Sequence, residues 1–244
     1  MKKHLLTALL IVPAVTSTAL ATDITAIYGS GNPASGWTSV TDSGIELGLR
    51  AKNRVDGTTP NNGAGTYSFA TAPSPRGLWN YEFSINSDVV NGNNNLNSYE
   101  FYLSVDRDSS AGVISRTVNP LSYWVDNSYG KTGTTTANSG QGVEGTSLLG
   151  AANNIVQNSE NITFGDYPLF PEGALTLEDN ATYTFELYAT RIGQGPDGAK
   201  IADVAMNVVV GNGGSAVPDS GSSIALLGLG LAGLGMAGYR RKMA

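Results

Sequence analysis

The chain has 244 residues, a net charge of −6, no cysteine and a single histidine, His4. Without thiols there is no disulfide scaffold, no cysteine nucleophile and no cysteine-ligated metal. Because His4 lies in the N-terminal segment, the remainder has no imidazole for a Ser-His-Asp triad or a near-neutral proton shuttle, and the acidic balance excludes a nucleic-acid partner.

The N-terminus places Lys2-Lys3 before an apolar run, Leu5 to Val15, and closes on Ala19-Leu20-Ala21. A basic start, a short apolar centre and an A-x-A ending make up a secretory signal peptide, expected as a helix over residues 1–21 and cut after Ala21. The apolar stretch is short for a bilayer span, which favours removal over anchoring.

Residues 22–210 follow as the body. Five of the 14 basic residues and one of the 20 acidic ones lie in the two ends, so the part between them carries −10. Its apolar residues recur at every second position. Ile45, Leu47 and Leu49 form one such row; Trp79, Tyr81, Phe83 and Ile85 another; Tyr99, Phe101, Leu103 and Val105 a third. Tyr183, Phe185, Leu187 and Ala189, and then Ala202, Val204, Met206, Val208 and Val210, complete the set. Such alternation predicts antiparallel strands with one buried and one wet face. Gly/Asn/Pro/Ser clusters at 56–65, 91–97, 128–142 and 193–198 read as turns and loops. Residues 107–170 predict two or three short strands with long connections. The expected fold is all-β: an antiparallel β-sandwich of jelly-roll type, without helices between the two ends.

Residues 211–216, Gly-Asn-Gly-Gly-Ser-Ala, form a flexible linker. Val217-Pro218-Asp219-Ser220-Gly221 comes next, then an apolar, glycine-rich run over 224–238, then Tyr239 and the cluster Arg240-Arg241-Lys242. As a transmembrane helix the run would be roughly 24 Å long. Tyr239 suits the headgroup layer, and the cations would hold the C-terminus on the cytoplasmic side of the inner membrane. Gly228-Leu-Gly230-Leu-Ala-Gly233 fits the dinucleotide-binding pattern by letter, but it lies inside this apolar run rather than between a strand and a helix. Its glycines suit close helix approach in lipid.

The tail, residues 217–244, resembles the bacterial PEP-CTERM sorting signals in their VPDSG-CTERM variant: motif, apolar helix and basic cluster occur in that order. The resemblance implies that an exosortase, a membrane-embedded transpeptidase-like protease, cuts near Val217 to Gly221 and passes the protein to the cell surface or the extracellular matrix. The motif is then a substrate for another enzyme. The body would be a non-catalytic structural or adhesive domain, with a carbohydrate-binding module for exopolysaccharide as the alternative and a glycoside hydrolase as a third reading.

Carboxylates are the remaining acid/base groups. Glu46, Glu82, Glu100 and Glu186 each lack a second acid on the same strand face, so no strand carries the pair that glycoside hydrolysis needs. Asp106 and Asp108, two apart at a strand end, would begin a calcium site; the same pattern suits a turn in which Asp bonds local N–H groups. Tyr123, Trp124 and Tyr129, in the loop-rich middle, would offer a glycan stacking surface if exposed and would fill the core if buried. Tyr102 and Tyr188 fall on the polar faces of their strands.

Overall fold

The computed structural model describes residues 20–21, 24, 35–70, 77–106, 115–132, 143–161, 163 and 180–211. Two sheets face each other. The seven-stranded sheet runs β1 (Leu20–Ala21), β2 (Thr38–Asp42), β3 (Ile45–Asn53), β5 (Trp79–Asn86), β10 (Ile155–Glu160), β8 (Asn127–Gly130) and β9 (Val143–Gly145). The five-stranded sheet runs β4 (Thr66–Phe69), β12 (Lys200–Val210), β11 (Thr182–Thr190), β6 (Glu100–Asp106) and β7 (Ser115–Val118).

The five strands read from period-two alternation are β3, β5, β6, β11 and β12, and they form the middle of both sheets. Among the described residues every pairing is antiparallel except one: β4 runs parallel to β12, with Tyr67 opposite Val208. β4 is reached from β3 through residues 54–65, which cross from one sheet to the other. No tight hairpin dictates its sense, and a strictly antiparallel sandwich is corrected to a mixed one. The middle of the chain supplies β7 to β10, more strands than its composition suggested. It also holds a single helical turn, α1 (Pro120–Tyr123), and the 3-10 turn Ser147–Ala151; another 3-10 turn, Leu96–Ser98, precedes β6.

The expected signal helix reaches the described residues only at Leu20–Ala21, which are extended rather than helical: they pair with Ser39 and Thr38. An open strand edge presents unpaired N–H and C=O groups, and these two residues satisfy those at the start of β2.

Between the sheets the apolar rows interlock through aromatic rings. Trp79 stacks on Phe69 at 6.0 Å and meets Tyr183 and Phe185 at the same separation. Tyr81 lies 5.0 Å from Phe185, and Phe83 lies 5.5 Å from Trp124. These offset and edge contacts suit ring quadrupoles, and each ring removes a large apolar area from water.

The two outer faces differ. On the five-stranded sheet the alternation holds as read: Lys200, Asp203, Ala205 and Asn207 are exposed while Ala202, Val204, Met206 and Val208 are buried. On the seven-stranded sheet the face expected to be wet is buried as well. Glu46, Arg50, Glu82, Ser84, Asn86 and Gln157 all lie out of solvent. Gly48 makes room for part of this second layer, since a Cβ there would stand 2.9 Å from Ile24 Cγ2 and 3.2 Å from Trp37. Trp37 also lies under the Arg50 guanidinium, 4.3 Å from its ring centre.

Beneath Trp37 the charges are matched. Arg50 Nε donates to Glu82 Oε2 at 2.6 Å, Nη2 donates to the same oxygen, and Nη1 donates to the Ser35 carbonyl at 2.8 Å. Lys52 pairs with the other oxygen of Glu82. Both Arg50 and Glu82 have no exposed side-chain surface, so breaking the pair strands a charge in a dry site. Glu82→Ala is expected to lower unfolding stability by about 3–5 kcal/mol in urea titration, and Arg50→Met with Glu82→Leu by much less, because the double change leaves neither charge alone.

Candidate functional site

The aromatic candidates sit on and beside a short turn tied down at both ends by asparagine side chains. Asn119 caps α1, its Oδ1 accepting the Leu121 N–H at 2.9 Å, and Pro120 occupies the first helical position, where no N–H is needed. Asn127 Nδ2 then donates to the carbonyls of Pro120 at 3.0 Å and Trp124 at 3.3 Å, tying the turn to the start of β8. This clamp turns Trp124 inward, between Tyr81, Phe83 and Tyr123. Tyr129 is buried too, its hydroxyl donating to the Leu121 carbonyl at 3.3 Å. Trp124 and Tyr129 are each 1% exposed, which leaves no ring face for a sugar. Of the two sequence alternatives for Trp124 and Tyr129, the structure shows the buried one. Tyr123 is half-buried, edge-on to Trp124 and beneath the Arg116 guanidinium at 5.5 Å.

Asp106 ends β6, half-buried, its backbone paired with Ser115; Asp108 lies outside the described residues. Among the described residues no three His, Cys, Asp or Glu side chains gather as a metal site would require. The sorting residues Val217, Pro218, Asp219, Ser220 and Gly221, the apolar run 224–238 and the interface residues Tyr239, Arg240, Arg241 and Lys242 also lie outside the described residues. Among the residues described, no helix is long and apolar enough to cross a membrane.

The strand carboxylates are engaged. Glu82 is held by Arg50 and Lys52, and Glu186 by Lys200. Glu100 accepts the N–H groups of Gly193 at 3.1 Å and Gly195 at 2.9 Å, which hold its carboxyl below the ordinary value and fasten the β11–β12 loop to the start of β6. Asp88 takes N–H groups from Val90, Asn91, Asn93 and Asn94 at 3.0–3.1 Å. Burial alone would raise the Asp88 carboxyl, but these donors outweigh it and bring it below the usual range.

One carboxyl stands apart. Glu160, at the end of β10, faces the core side beside Tyr81 and is half-buried. Asn158, two residues earlier, donates to Asp126 Oδ1 at 3.2 Å and to Asn127 Oδ1 at 3.0 Å, joining the approach to β8 with β10. Burial, and then the charge on Asp126, push the Glu160 carboxyl up to about 8. Tyr81 is raised well above its ordinary value by burial first and then by Glu160 and Tyr123. Spacing within a strand gives no sign of this pair, because its members come from separate segments brought together by the β8–β10 pairing.

A raised carboxyl has a definite consequence for stability. Between the ordinary Glu value near 4.5 and about 8, the folded chain keeps a proton that the unfolded chain has released. Stability therefore falls as pH rises through that window, by at most about 1.4 kcal/mol per pH unit, and this contribution is level above it. Glu160→Gln is expected to flatten this slope and raise the thermal midpoint at pH 8 relative to the parent, as read by circular dichroism melts across the range.

No curated protein sequence matches the chain. Among solved structures, the N-terminal domain of PorA aligns at 11% identity over 68% of this chain and 99% of that one, with a TM-score of 0.25, too distant to bear on function. The tail is another matter. The family model described as the VPDSG-CTERM motif matches residues 216–243. The chain therefore carries a PEP-CTERM-type C-terminal sorting signal, the mark of an exported protein with a cell-surface destination, handled by an exosortase-type system.

Proposed function

We propose that this chain is a non-catalytic building or adhesive component of the cell surface or extracellular matrix. Its leader directs export, and its tail holds it in the inner membrane with the β-domain outside. An exosortase-type protease then acts near Val217 to Gly221 and releases the body to its destination. The sorting signal over residues 216–243 carries this reading.

The β-domain supports it in two ways. Its buried aromatic residues serve cohesion: Trp79 and Trp124 pack between the sheets, and Trp37 covers the Arg50 guanidinium on the outer face, each 1% exposed. Its strand carboxylates Glu82, Glu100 and Glu186 are bound to cations or to backbone N–H groups, which leaves them poorly suited to general acid or base work. With these three acids engaged, the domain suits a load-bearing or contact role.

Deleting residues 217–244 is expected to release the body into the culture medium, while the full-length protein remains with the envelope. Immunoblots of the two fractions check this. A truncated protein that stays on the envelope as the parent does would refute tail-directed retention.

A further inference from the structure

Three asparagines precede a glycine: Asn62, Asn91 and Asn212. Asn-Gly is the dipeptide in which the following backbone nitrogen, uncrowded by a Cβ, reaches the asparagine carboxamide most easily. Asn212 lies outside the described residues, but the other two invite direct comparison. Both asparagines are exposed, and both glycines are left-handed, with φ of +86° at Gly63 and +68° at Gly92.

They differ at the reacting atoms. The Gly63 N–H donates to Asn61 Oδ1 at 2.9 Å, so the nucleophile is already engaged. Asn62 Oδ1 accepts from Ala64 at 2.8 Å and Thr66 at 3.1 Å, so its carboxamide is pinned by two bonds. At the second site no side-chain acceptor among the described residues takes up the Gly92 N–H. Asn91 Oδ1 accepts one bond, from the Asn93 N–H at 3.1 Å, which also draws electrons from the carbon to be attacked.

We propose that Asn91-Gly92 is a site of spontaneous deamidation in the folded protein, and that Asn62-Gly63 is protected. The Gly92 nitrogen gives up its proton to solvent and bonds to Asn91 Cγ. The carboxamide C–N bond breaks, ammonia leaves with a proton from solvent, and a succinimide ring closes. Water then opens the ring at either carbonyl to give aspartate or isoaspartate. The net change is one amide and one water to one carboxylic acid and one ammonia, with no oxidant or reductant.

The consequence follows from what the loop encloses. Asp88 is buried, and its two oxygens gather the N–H groups of residues 90, 91, 93 and 94. A new carboxylate at position 91 stands beside it with the same charge. Isoaspartate also inserts a methylene into the main chain between the donors on either side of Gly92, so their spacing around Asp88 is lost. Deamidation thus loosens the loop between β5 and the Leu96–Ser98 turn, and it marks age in a chain exposed outside the cell.

The test is peptide mapping by mass spectrometry of the full-length chain during incubation in mildly alkaline buffer, folded and in denaturant. In the folded chain, Asn91 is expected to convert about three- to tenfold faster than Asn62, the factor expected when one amide hydrogen bond must first be broken. In denaturant the two rates converge. An Asn91→Gln variant is expected to hold its thermal midpoint through an incubation that lowers the parent's. Equal conversion at the two sites in the folded chain, or a difference that survives denaturation, would overturn the proposal.

Discussion

Burying β3 and β5 on both faces forces the chain to neutralise whatever charge it places there, and the Arg50–Glu82–Lys52 group meets that demand. Two charges taken out of water cost several kcal/mol each unless they are paired and hydrogen-bonded. Here every nitrogen of the Arg50 guanidinium has an acceptor, Trp37 lies against its face, and Glu82 receives a cation on each oxygen. The arrangement also fixes register, since Arg50 stands directly opposite Glu82 in the β3–β5 ladder and a one-residue slip would send both into the apolar core. Gly48 and Trp37 belong to the same constraint, because the cover over the ion pair requires the space that the glycine leaves open.

The same rule runs through the other carboxylates. Glu100 and Asp88 each gather backbone N–H groups, and by doing so fasten a loop to a strand end. Glu160 solves the problem differently: buried near Asp126, its carboxyl is pushed up and keeps its proton to higher pH. These are three ways of placing an acid in a crowded site: pair it, surround it with donors, or leave it neutral. Glu82, Glu100 and Asp88 thereby become structural parts, each tying a neighbouring strand or loop into the domain.

The turn at Asn119 to Asn127 shows how local chemistry and long-range packing divide the work. The Asn-Pro cap makes a helical turn favourable there, and Asn127 closes it by binding two of its carbonyls. Whether the next side chain faces water or the core depends on what stands opposite. Trp124 turns inward because Phe83 and Tyr81, on a strand some forty residues earlier, present apolar rings to it. A loop-rich composition that left both an exposed surface and a buried cluster open therefore produced a corner of the core.

Period-two rows at Ile45–Leu49, Trp79–Ile85, Tyr99–Val105, Tyr183–Ala189 and Ala202–Val210 were enough to place the central strands, because side-chain direction in a strand is set by backbone geometry alone. The sorting signal was equally legible, since its motif is contiguous in the sequence and is matched residue by residue without reference to a fold. Three features were decided only by tertiary structure: the burial of the outer face around Glu82 and Arg50, the parallel approach of β4 to β12, and the meeting of Asp126 with Glu160. Each depends on residues far apart in sequence arriving at one place. Alternation tells which side chains share a face of a strand; it carries no information about what comes to lie across that face, and that is what settles burial, pairing and charge.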